Sequence, residues 1–100
     1  MKNMRGPKRK PTHPGAILRE DVLPSLEMSQ IEFAKRFGVS RLSVSELLLE
    51  KRSLTADMAM RVATLTSTTP ESWLRMQEAL DLWGLAQDSK KYRAIEPLAA

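Results

Sequence analysis

The side chains with chemistry to offer gather between Ser40 and Arg52. Ser40, Arg41, Ser43 and Ser45 bring hydroxyls and a guanidinium, Glu46 brings a carboxylate, and Lys51 and Arg52 add two cations. Such groups at helical spacing suit hydrogen bonding to base edges. An arginine can grip a guanine, a leucine such as Leu42 can touch a thymine methyl, and a glutamate can accept from a cytosine amino group. They do not suit catalysis. His13 is the only histidine and there is no cysteine, so no serine has a base beside it and no metal ligand set converges. The sequence has no glycine-rich phosphate loop, and the acids Glu20 and Asp21 belong to a solvated helix surface. No enzyme, metal or cofactor is expected.

The whole chain bounds the rest. One hundred residues with 42% hydrophobic content make a single domain with one core. The absence of cysteine excludes disulfides and fits a reducing cytoplasm. No apolar run approaches the roughly 18–20 residues of a membrane span. The net charge of +4 is unevenly placed. Lys2, Arg5, Lys8, Arg9 and Lys10 precede His13 with no acid among them, leaving a nearly neutral body. A basic arm suits a polyanion partner, and short basic tails also serve as solubilising ends.

Residues 1–12, with Gly6, Pro7 and Pro11, read as a flexible basic arm. Residues 13–87 read as the helical domain and residues 88–100 as a tail without a clear pattern. Pro14 opens a first helix carrying Ile17, Leu18 and Val22, and Pro24 is expected to stop it. Ser29 to Glu32 has the form of a capping box, with Met28 and Phe33 at staple spacing. Gly38 is the expected left-handed stop of this second helix, and Ser40 caps the third. Thr55 caps a fourth, and Thr69-Pro70-Glu71 opens a fifth that runs past Trp73 and Trp83 until Gly84 weakens it. Trp73 and Trp83 project in different directions, so both can be core or one can sit at an interface.

The link between the second and third helices is only Gly38, Val39 and Ser40, which sets the two at a steep angle. Ala34 is small at the crossing, and Val39 and Val44 pin the corner. This is the demand of a helix-turn-helix, and a plain helical hairpin shares it. At about 100° per residue, Val44, Leu47 and Leu48 cluster on one side of the third helix. Leu42, Glu46 and Leu49 point the other way, with Ser45 beside them and Ser40 and Arg41 at the leading end. The spacing leaves Arg41 open as a base contact or a phosphate clamp. Glu46 and Glu50 oppose binding to a polyanion, and exposed leucines also suit protein contacts. Lys35, Arg36, Lys51, Arg52 and the basic arm favour DNA, so affinity is expected to be modest and strongly salt-dependent.

The stretches HPGAILREDVL, SQIEFAKRFGVSRLSVSELL and LTADMAMRVATLTSTTPESWLRMQEALDLW together resemble the HigA-type antitoxins. These belong to the Xre, lambda-repressor-like helix-turn-helix class, and the likeness runs from His13 to Trp83. The resemblance implies an all-α, five-helix DNA-binding domain that dimerises and represses its own operon by binding double-stranded operator DNA. It also implies a tight complex with a HigB-like toxin, an mRNA-cleaving endoribonuclease of the RelE superfamily. Gln30 would contact phosphate, and Ser40, Arg41, Leu42, Ser45 and Glu46 would read bases. Ser43 and Leu49 complete that face, with Lys51 and Arg52 in the loop behind. The last helix would build the dimer through Ala79, Leu80, Leu82 and Trp83. Two departures stand in the reader: family members often have a polar residue where Leu42 stands and an Asn-Gly pair where Leu49-Glu50 stands. Two other functions remain open, an orphan repressor without a toxin and a helical protein-interaction module.

Overall fold

The computed structural model describes residues 9–98, and among these every regular element is helical. The order is α1 (Pro14–Ile17), a π-helical turn (Leu18–Val22), α2 (Leu23–Leu26), α3 (Gln30–Phe37), α4 (Arg41–Leu48), α5 (Ala56–Thr66), α6 (Pro70–Ala86) and α7 (Lys90–Arg93). The first three segments follow one another without a break and make up the expected first helix; α3 to α6 are the other four. Most of the expected arm, residues 1–8, lies outside the described residues.

Local chemistry explains where most of the helices begin. Ser29, Ser40, Thr55 and Thr69 all hold extended backbone and accept from the amide three residues on. The capping box at Ser29 is only half made, because the Glu32 carboxylate turns to Arg36 at 3.1 Å instead of back to Ser29. Pro70 sits at the start of α6, where a missing N–H costs nothing.

Pro24 does not stop the first helix, contrary to expectation. Leu23 keeps right-handed helical angles and its amide bonds to the Leu18 carbonyl, five residues back. That wide π turn makes room for the proline ring, which would collide with the carbonyl four residues back in a regular α-helix. The stop comes three residues later, at Glu27 with φ 53°. The tail also departs from expectation, since Lys90–Arg93 forms the short α7.

The core lies between α3, α4, α5 and the inner faces of α1 and α6. Leu18, Phe33, Phe37, Val44, Leu47, Leu48, Leu54, Val62 and Trp73 are buried there. Phe33 and Phe37, one turn apart, pack ring against ring with centroids 4.1 Å apart and planes tilted by 39°. Truncating a side chain as large as Phe33 costs about 3–5 kcal/mol. Gly15 marks the closest approach: a Cβ placed there would lie 1.9 Å from the Leu47 carbonyl oxygen. Only glycine lets α1 lie against α4, the helix that carries the candidate site.

Candidate nucleic-acid interface

The corner between α3 and α4 is tight. Gly38 is left-handed at φ 73°, and the Gly38 and Val39 amides both return to the Ala34 carbonyl. α4 then buries Val44, Leu47 and Leu48, which leaves its other side to solvent. On that outer side stand Arg41, Leu42 and Leu49, with Leu42 66% and Leu49 54% exposed. Ser43, Ser45 and Glu46 are half-exposed beside them, and Ser40 and Gln30 are exposed at the starts of α4 and α3. Lys51 and Arg52 are exposed in the loop that follows α4. Arg41, Leu42, Ser45, Glu46 and Leu49 therefore lie on the side of α4 away from its buried seam.

Two of these residues engage each other. Arg52 places Nε at 3.1 Å and a terminal nitrogen at 2.6 Å from a single carboxylate oxygen of Glu46. Its other terminal nitrogen lies 3.5 Å from the Ser43 hydroxyl, which in turn accepts from Ser40 at 3.0 Å. The acid that argued against a polyanion partner is thus neutralised by a neighbour. Glu50 is likewise drawn away, pairing with Arg19 at 3.2 Å. Arg41, Lys35 and Lys51 make no ion pair among the described residues and remain available to phosphates.

Three side chains that hold this surface in place carry no signal in the sequence pattern. Arg19 donates to the Leu48 carbonyl at 2.6 Å, satisfying an oxygen at the end of α4. Its hydrogen bonds to Glu20 and then Glu50 raise its pKa further, so it stays a cation. Arg61, from α5, donates to the Phe37 carbonyl and so does the same for α3. His13 caps α1, with Nδ1 accepting from the Gly15 amide at 2.9 Å. That leaves the proton on Nε2, which donates to the Arg52 carbonyl at 3.1 Å. Their signal lies in geometry across the chain, which one sequence does not display.

The end of α4 explains one departure from the resemblance. The Glu50 amide bonds to Leu47 and the Lys51 amide to Glu46, and Glu50 has φ 64°. This is a Schellman ending, and its left-handed position favours glycine. The Asn-Gly pair of the resembling sequences would meet that demand; Glu50 meets it under strain and is held by Arg19.

The expected dimer residues on α6 are divided between two faces. Leu80 and Trp83 line one cleft with Lys10, whose ammonium lies 5.9 Å from the Trp83 ring, and Ala79 lines another with Arg9, Lys10 and Thr12. Leu82 is 60% exposed on another side, beside Leu74, Arg75 and Glu78. Trp73 belongs to the core and donates to Thr68 at 2.8 Å, whereas Trp83 is half-buried. Among the described residues no cluster of acids or histidine could hold a metal, and no helix is long and apolar enough to cross a membrane.

The comparisons agree with this geometry. A family model described as helix-turn-helix matches residues 18–74. Virulence-associated protein I of Dichelobacter nodosus is 39% identical over 87% of this chain and 81% of its own length. Antitoxin HigA-1 of Vibrio cholerae is 38% identical over 80% of this chain and 75% of its own. The solved structure of Pseudomonas aeruginosa antitoxin HigA with higBA promoter superposes with a TM-score of 0.80 at 33% identity, covering 90% of this chain and all of that one. With the tight corner, the buried seam of α4 and these likenesses together, the chain belongs to the helix-turn-helix family, among the HigA-type antitoxins, a group of DNA-binding regulators and not of enzymes.

Proposed function

We propose that this chain is the antitoxin and autorepressor of a toxin–antitoxin module. As a homodimer it binds double-stranded operator DNA through α4 and neutralises a HigB-like mRNA endoribonuclease. The observation that carries the DNA part is the outer face of α4. Arg41, Leu42, Ser45 and Glu46 stand out from a helix whose opposite side is locked into the core by Val44, Leu47 and Leu48. The N-terminal end of such a helix is the part that meets base edges in a major groove. Two copies on a palindromic site would place their α4 helices about 34 Å apart, one turn of DNA.

Support for the toxin partner comes from membership of the HigA-type group. The dimer reading draws on the half-buried Leu80 and Trp83 and the exposed Ala79 and Leu82 of α6. The test is co-expression with the protein encoded beside its gene. An antitoxin restores growth to cells expressing that neighbour and co-purifies with it at high salt. A neighbour that is harmless alone, or a chain that purifies without it, would leave an orphan repressor.

A further inference from the structure

Among the described residues, the acid on the outer face of α4, Glu46, is held by an arginine from the following loop through one of its two oxygens. Both close contacts from Arg52 go to the same oxygen of Glu46, and no hydrogen bond among the described residues reaches the other. Arg52 is itself fixed at both ends. Its carbonyl accepts from His13, and its guanidinium reaches over to Ser43. Resting on the operator-binding reading above, we propose that Arg52 is a positioning residue that makes Glu46 a cytosine reader.

A bare carboxylate in a major groove faces two rows of phosphates and is repelled by both. With Arg52 against it, the pair is neutral and that repulsion is cancelled. Because the guanidinium takes one oxygen, the second stays free to accept, and among the base edges of the major groove the donors are the amino groups of cytosine and adenine. Adenine places an acceptor, N7, beside its amino group, which repels a carboxylate but suits a glutamine. Cytosine is therefore the base this arrangement takes. A phosphate clamp at Arg52 would instead contribute equally on every sequence.

The experiment is selection from a randomised double-stranded DNA library, followed by affinity measurements on the selected duplex with each base pair changed in turn. It uses the full chain and the variants Arg52→Ala, Arg52→Lys and Glu46→Gln. The parent is expected to select cytosine at one position of each half-site and to lose about tenfold in affinity when that base is replaced. Arg52→Ala should flatten the preference at that position alone, and Arg52→Lys, which keeps the charge, should restore part of it. Glu46→Gln should select adenine there and bind random DNA more tightly, having lost a negative charge. Both changed side chains are partly exposed, so the fold is expected to survive these changes. Two results would overturn the proposal: uniform weakening by Arg52→Ala with the cytosine preference intact, or a parent indifferent at every position that Glu46→Gln alters. A parent that selects no sequence at all would overturn the operator-binding reading as well.

Discussion

His13 and Arg52 are joined by a hydrogen bond of 3.1 Å across a separation of 39 residues, from the imidazole of one to the main-chain carbonyl of the other. The same ring caps α1 through its second nitrogen. One side chain thus anchors both the start of the domain and the loop behind α4. His13→Ala removes a cap worth about 1 kcal/mol and leaves the Arg52 carbonyl without its partner. The expected loss of stability is about 1–3 kcal/mol, read by urea unfolding of purified protein. Asn in place of His13 keeps a capping oxygen but cannot span to Arg52, and should recover only part of the loss.

Gly15 is the residue on which the approach of α1 to α4 depends. Its substitution by alanine would drive a methyl group into the Leu47 carbonyl. Backbone cannot swing aside as a side chain can, so the helices must separate. A loss of about 3 kcal/mol is expected, at the upper end of overpacking costs. Thermal unfolding of Gly15→Ala measures it; an unchanged midpoint would mean that α1 does not pack on α4 this closely.

Glu27 holds the left-handed position that ends α2, at φ 53°, and no hydrogen bond among the described residues engages its carboxylate. A left-handed residue with a side chain carries about 1–2 kcal/mol of strain, of which glycine gives back part through its freedom when unfolded. Glu27→Gly should therefore stabilise the fold by about 0.5–1 kcal/mol, seen as a midpoint several degrees higher.

Gln77 is buried on α6, accepting from the Leu54 amide at 2.8 Å while donating to Asp81. This bond ties the stretch between α4 and α5 to the last long helix. Gln77→Ala strands a buried amide and should cost about 1–3 kcal/mol. Hydrogen exchange at Leu54 would show the change locally, with protection falling more there than in α3.

Much of this architecture was legible because it is written in neighbouring residues. Caps at Ser29, Ser40, Thr55 and Thr69, the stop at Gly38 and the buried stripe of α4 each depend on a few adjacent positions. What escaped depends on distance or on a rarer geometry. Pro24 reads as a stop because the usual α-helix cannot hold it, and the π turn that can has no sequence signature. Arg19, Arg61 and His13 act on carbonyls far along the chain. Glu46 and Arg52 were each legible as surface charges, but their pairing follows only once the loop after α4 turns back. The resemblance placed Leu82 in one group with Leu80 and Trp83 on α6, whereas Leu82 borders a different cleft from the one that Leu80 and Trp83 line with Lys10.

Operator reading by the exposed face of α4 is measured by the affinity of the parent and of Arg41→Ala for a duplex from the chain's own promoter and for a scrambled duplex, across a salt series. The parent should prefer the promoter and weaken steeply as salt rises. Arg41→Ala should lose about 1–3 kcal/mol on the promoter and much less on the scrambled duplex. Equal binding of both duplexes by the parent, with little response to salt, would contradict it.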